Sequence, residues 1–271
     1  VIELAPHHKT GLSLASPVMI AAGFGGYGNA YLRWLNPALF GAIVTGPITL
    51  APERGTPPPR AAETGGGFIL NTGQQNPGVK KVLQRYRAIW ARLGCPVMAH
   101  LPAAEPRSLG RTAAALTSAA GMAAFELGLP ADALPDEVFD WTTAIREAAE
   151  LPLLVKIPFM AVVEVAAAAV EAGADALVVS MPPPGAAQIT RTALTMLHGQ
   201  FFGPALHPLI LPQIEFFGRN FNLPIVGSGG IHSLADAQAF LTAGAMAVQL
   251  DSVLFADLAR AEQIAQALAS A

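Results

Sequence analysis

The sequence predicts an α/β fold, a (β/α)8 TIM barrel with long loops at its C-terminal face, on three observations. Eight short apolar runs, bounded by Gly, Pro or polar residues, alternate with helical patterns along 271 residues. Runs that are continuously apolar suit strands buried on both faces, and eight of them favour closure of the sheet. The last two runs end in small residues, Gly227-Ser-Gly-Gly230 and Asp251-Ser252. In such barrels the loops after the final strands often hold phosphate.

In chain order the first strand, 18–21, follows Pro17 and stops before Gly23, and the second, 42–44, lies between Gly41 and Gly46. The third, 97–100, follows Pro96, and the fourth, 123–127, ends at Gly128. The fifth, 153–157, is framed by Pro152 and Pro158, and the sixth, 176–180, ends before the prolines at 182–184. The seventh, 224–226, stops at Gly227, and the eighth, 247–250, at Asp251. Helical patterns occupy 76–93, 108–120, 135–149, 160–172, 208–219, 233–242 and 253–269. No Ser/Gly/Pro-rich linker divides the chain, so residues 1–271 are expected to form one domain.

Composition narrows the partners. Only 13% of residues are charged and the net charge is −3, which favours neither nucleic acid nor an acidic membrane surface. The first ten residues lack signal-peptide order, and no uncharged apolar stretch reaches the roughly 18 residues of a membrane span. A cytoplasmic protein is expected. The single cysteine, Cys95, allows no internal disulfide and by itself no Cys-based iron–sulfur or zinc site, so no metal site is expected.

Catalysis in these barrels sits at the carboxyl ends of the strands. The residues there are Gly23, Thr45, His100, Glu126 to Gly128, Lys156, Ser180, Gly227 to Gly230, Asp251 and Ser252. Two long connections, 46–76 and 181–207, overhang that end, where long loops usually serve function. Glycines 229 and 230 allow backbone N–H groups to approach an anion.

The run Ile43-Val-Thr-Gly-Pro-Ile-Thr-Leu50, continuing to Arg60, resembles the dihydroorotate dehydrogenase family. The likeness is strongest to the bacterial subclass whose flavin chain partners an iron–sulfur subunit. It extends through Ser16-Pro-Val-Met-Ile-Ala-Ala-Gly23, Leu70-Asn-Thr-Gly-Gln-Gln-Asn-Pro-Gly78, Val155-Lys-Ile157, Gly203-Pro-Ala-Leu-His-Pro208 and the terminal glycine loops. The resemblance implies FMN as cofactor, a small-molecule substrate, an iron–sulfur partner subunit and a homodimer. It also implies that a base takes a proton from dihydroorotate while hydride passes to the flavin.

Carried over residue by residue, the resemblance gives Ala22 and Gly23 at the flavin edge, Lys156 near its ring, Gly203 beside it, and Gly229, Gly230 and Ser252 at the phosphate. His100 stands where the family has a flavin-contacting Asn and retains hydrogen-bonding capacity. Asn71 matches an asparagine on the substrate, and Lys156 and Asn71 are the catalytic candidates. Lys156 has a structural alternative, an ion pair with Glu126. Asp251 replaces a glycine of the phosphate loop; it either faces the anion or caps the last helix.

The substrate shell departs further. Gly46 replaces a lysine, Gly128 and Ala133 replace asparagines, Ser180-Met181 replaces a pair that begins with Asn, and Ala131 replaces the cysteine base. Loss of a general base costs roughly 10²–10⁴-fold, so an altered substrate is expected, in a more apolar pocket near Leu129, Met181 and Phe202. Asp132, His198 and His207 are the substitutes for the base, and Cys95, on the opposite face, is expected to be inert. Two other functions stay open: an aldolase-type lyase with a Lys156 Schiff base on a phosphorylated substrate, and a non-catalytic flavin- or ligand-binding homologue.

Overall fold

The computed structural model describes residues 1–31, 33–189 and 195–269. A short hairpin, β1 (Ile2–Glu3) and β2 (Ser13–Leu14), precedes the first barrel strands, β3 (Val18–Ile20) and β4 (Ala42–Pro47). Then come β5 (Ala61–Thr64), β6 (Gly67–Leu70), α1 (Val79–Trp90), β7 (Val97–Pro102), α2 (Pro106–Thr117) and β8 (Met122–Gly128). The middle of the chain forms α3 (Pro135–Ala148), β9 (Leu153–Ile157), α4 (Val163–Glu171), β10 (Ala176–Val179), β11 (Pro184–Gln188) and β12 (Met196–Phe202). It closes with α5 (His207–Asn220), β13 (Ile225–Ser228), α6 (Leu234–Thr242), β14 (Ala247–Leu250), α7 (Val253–Ala256) and α8 (Leu258–Ala269).

Strands β3, β4, β7, β8, β9, β10, β13 and β14 close into a parallel barrel in chain order, at the eight expected places. Successive side chains alternate between its inside and its helical coat. Outward residues such as Val97, Ala99, Phe125, Leu127, Val155 and Ile157 join the large core beneath the helices. Inward residues Met19, Val44, Met98, Ala124, Leu154, Val178 and Val226 form a second, separate core. Leu4, Ala5, Leu12 and Leu14 of the β1–β2 segment pack into that inner core and floor the barrel.

Helix starts are chemically marked. The Glu105 carboxylate accepts from the Arg107 and Ser108 N–H groups ahead of α2, and Ser233 Oγ accepts from Asp236 N–H at α6. One expectation needs correction: 253–269 is two helices, because Asp257 is extended (φ −160°) and its carboxylate accepts from Arg260 N–H, restarting the chain as α8.

The two long connections overhang the C-terminal end as expected, and they carry strands of their own. They pair with each other in a four-stranded antiparallel sheet ordered β11-β12-β6-β5, which roofs the C-terminal mouth. Residues 190–194 of the second connection lie outside the described residues. A Cβ on Gly67 would stand 1.9 Å from the Phe202 carbonyl oxygen, and one on Gly203 2.2 Å from that of Gly66. Only bare backbone permits the roof strands to approach so closely there.

Candidate active site

Between roof and barrel mouth lies a cavity of about 370 Å3. Its floor is the next inward layer of the barrel, one step above the apolar one. In place of methyl groups, that layer carries His100, Glu126, Lys156, Ser228 and Gln249, all buried. Buried charge is costly unless paired and hydrogen-bonded, and here every member has partners.

The network crosses the barrel. His100 Nδ1 lies 2.9 Å from Glu126 Oε1, and Gln249 Nε2 donates to Glu126 Oε2 at 2.5 Å. Lys156 Nζ donates to Gln249 Oε1 at 2.8 Å and to Ser228 Oγ at 2.9 Å. Burial alone would raise the Glu126 carboxyl, but the Lys156 charge and the bonds from His100 and Gln249 hold it down at about 2. Lys156 and Glu126 are therefore linked through the Gln249 amide, not by the direct ion pair considered from sequence. Gln249 was not anticipated. Its signal was a lone polar residue at an inward position of an apolar strand.

Of the candidate residues, Ala22, Gly23, His100, Lys156 and Gly229 line the cavity. The Gly23 N–H donates to the Thr45 carbonyl at 3.2 Å, and no atom lies within 4 Å of where its Cβ would stand. Gly203 and Gly230 lie outside the lining; a Cβ on Gly230 would meet the His207 backbone nitrogen at 2.3 Å. Asn71 also lies outside it. Its Nδ2 donates to the His198 carbonyl at 2.7 Å, tying the end of β6 to β12. The lining amides are Gln74, Gln75 and Gln200 instead.

The terminal loops are mixed in character. The buried Gly229 and Gly230 N–H groups donate to no protein acceptor among the described residues, as an anion cradle requires. Yet the Asp251 carboxylate, 4% exposed, lines the cavity and accepts from both the N–H and the Oγ of Ser252. His232 Nε2 lies 2.8 Å from the same Oγ. Burial raises the Asp251 carboxyl against these Ser252 bonds, and burial lowers His232. Asp251 thus faces the cavity; its side chain is not turned away to cap α7.

The proposed substitutes for the base do not reach the cavity. Asp132 and His198 are exposed, and His207 stacks on Phe240 at 4.6 Å with Nε2 against the Asp236 carbonyl. Cys95 is partly buried ahead of β7, its thiol pushed up to about 12 by burial. Met181 and Phe202 line the cavity, whereas Leu129 is buried outside it. Phe24 packs on Phe202 (5.2 Å) and Phe255 (4.7 Å), an aromatic cluster joining barrel and roof that sequence did not reveal.

The dihydroorotate dehydrogenase family profile matches residues 6–104 and 130–271. The catalytic subunit of dihydroorotate dehydrogenase B (NAD(+)) from Geotalea uraniireducens is 32% identical over 273 residues, covering 95% of this chain and 90% of that protein. The chain belongs to the dihydroorotate dehydrogenase family. The corresponding Bacillus mycoides subunit is 32% identical over 262 residues, covering 91% and 85%. Among solved structures, a dihydroorotate dehydrogenase from Eimeria tenella in complex with ferulenol superposes with a TM-score of 0.75 at 20% identity, over 94% of this chain and 79% of that one, a likeness of fold. The family profile skips 105–129, the segment containing β8 with Glu126 and Gly128.

Dihydroorotate dehydrogenases are FMN-dependent, and most of this site fits the group. Open space over Gly23, the buried Lys156 ammonium and the free N–H groups of Gly229 and Gly230 suit the ring and the phosphate. Asp251 is the discordant residue. Its carboxylate opposes a phosphate unless it carries a proton.

Proposed function

We propose that this chain is an FMN-dependent oxidoreductase that dehydrogenates, or in reverse reduces, a neutral planar ring beside a carbonyl group. The observation that carries this reading is Lys156: a buried ammonium with two neutral acceptors, on the cavity floor across from the open Gly23 turn. Bound there, the flavin would supply the hydride acceptor. Lys156 would stabilise negative charge on the reduced ring, Gly229 and Gly230 would hold the phosphate, and the roof sheet would exclude water. Because Lys156 Nζ is already a donor to two partners, it is poorly disposed to attack a carbonyl as a Schiff-base amine.

The substrate reading rests on the lining. Among the described residues Lys156 is its only Lys or Arg, and the position of the family's other lysine is Gly46, where a Cβ would lie 3.6 Å from Tyr27. Gln74, Gln75, Gln200 and Ser180 supply neutral hydrogen bonds, while Asp251 disfavours an anion. A ring with carbonyl and N–H edges and no carboxylate suits such walls. The relatives' designation as a catalytic subunit supports recruitment of a second, iron–sulfur subunit, and we extend this to a cytoplasmic homodimer. Among the described residues no helix is long and apolar enough to cross a membrane.

The test is an absorbance spectrum of the purified chain, with mass identification of released ligand, before and after incubation with FMN. A flavin spectrum is expected, with Lys156→Ala weakening binding and lowering the flavin midpoint potential. A protein that stays colourless in excess FMN overturns the proposal.

A further inference from the structure

We propose that His100 is the catalytic acid–base residue of this site, replacing the one absent at position 131, and that Glu126 positions it. This rests on the oxidoreductase reading above and adds the proton-transfer group that reading lacks. Removal of two hydrogens beside a carbonyl needs somewhere for a proton to go, and Ala131 cannot take it. Among the described residues, the alternatives fail by position: Asp132 and His198 are exposed, His207 is stacked under α6, and Cys95 lies at the other end of the barrel.

His100 meets the requirements by geometry. It lines the cavity, and its side chain is 11% exposed. Its Nδ1 faces the fully buried Glu126 carboxylate at 2.9 Å, while Nε2 has no partner among the described residues. An ionised carboxylate accepts only, so Nδ1 carries the hydrogen of the neutral ring and Nε2, on a residue that lines the cavity, is left as the basic nitrogen. A base held by a third group through its far nitrogen is the arrangement that fixes tautomer and aim. The ring has room because residue 128 is glycine; a Cβ there would lie 2.4 Å from His100 Cε1. Other groups on the adjoining strands are the Lys156 ammonium, reached through Gln249, the neutral Thr45 hydroxyl, which accepts from His100 N–H, and Asp251 on the far wall.

A carbon–hydrogen bond beside the substrate carbonyl breaks and its proton goes to Nε2. The electron pair left behind would become the new carbon–carbon π bond as the neighbouring carbon gives up hydride, for which bound FMN would be the oxidant. In reverse the imidazolium returns the proton.

The experiment uses the full FMN-loaded chain, mixed anaerobically with L-dihydroorotate or with uncharged 5,6-dihydrouracil while flavin bleaching is followed. With the probe that bleaches wild type, the rate is expected to rise with pH through a single ionisation. In His100→Asn it should fall by about 10²–10⁴-fold and lose that ionisation. The FMN content of the variant is read from its absorbance, so that the rate is compared per bound flavin. Glu126→Gln should keep the ionisation but move it to lower pH, because the imidazolium loses its anionic partner. If His100→Asn proves unfolded, the Glu126→Gln profile decides alone. Bleaching by His100→Asn within about threefold of wild type, or an unmoved profile in Glu126→Gln, overturns the proposal and leaves the oxidoreductase reading standing. FMN-loaded wild type that neither probe bleaches overturns the substrate reading and this proposal with it.

Discussion

The imidazole of His100 occupies the space that a side chain at position 128 would need: a Cβ built on Gly128 would stand 2.4 Å from His100 Cε1 and 2.9 Å from Nε2. The two departures that the family resemblance implies, at His100 on β7 and at Gly128 on β8, are thus coupled sterically: the ring fits because position 128 carries no side chain.

Gly128→Ala should therefore destabilise by about 1–3 kcal/mol, because an added methyl in a packed site forces the ring off its rotamer. The same substitution beside His100→Asn should cost far less. Denaturant melts of the two single variants and the double variant measure the coupling, and strict additivity would mean the two positions are independent.

Glu126 makes an acid-sensitive contribution to stability. Its folded carboxyl sits at about 2 against an ordinary 4.5, so the stabilisation is present above the ordinary value and is lost as pH falls through about 2. It amounts to something on the order of 3 kcal/mol at neutral pH. Urea midpoints of wild type and Glu126→Gln should converge towards pH 2. Glu126→Ala, which leaves Lys156 buried without its counter-charge, should cost about 3–5 kcal/mol at neutral pH.

Asp251 should couple FMN binding to a proton. Burial raises its carboxyl, and a neutral acid no longer repels phosphate and can donate to it. FMN affinity should rise as pH falls, with riboflavin, lacking the phosphate, nearly indifferent to pH. Asp251→Gly should tighten FMN by about 10²- to 10³-fold at neutral pH, the scale of one close charge pair at an effective dielectric near 20, and flatten the pH dependence. Fluorescence-quenching titrations check both.

The aromatic contacts of Phe24 with Phe202 and Phe255 should govern access. Phe24 is 4% exposed, so Phe24→Ala should cost about 3–5 kcal/mol and speed FMN release. Stopped-flow displacement of bound FMN measures the release, and an unchanged rate would show that the roof opens elsewhere.

What the sequence determined by itself was the barrel. Apolar runs bounded by Gly and Pro are a local signal, and each of the eight, from Val18–Ile20 to Ala247–Leu250, formed where its composition placed it. Gly23 and Lys156 were legible for the same reason, as ends of recognised strands, and Ala22 through the family resemblance. Tertiary structure alone decided the rest, because the deciding contacts join residues far apart in the chain. The roof sheet pairs β6 with β12, with more than a hundred residues between them. Glu126 meets Gln249 only when the barrel closes, and their separation of 123 positions carries no local pattern. Asn71 could be matched by position, but whether its amide met the cavity or the His198 carbonyl depended on how two distant loops paired. Periodicity encodes which face of an element is buried, whereas the partner across that face is chosen by packing in three dimensions.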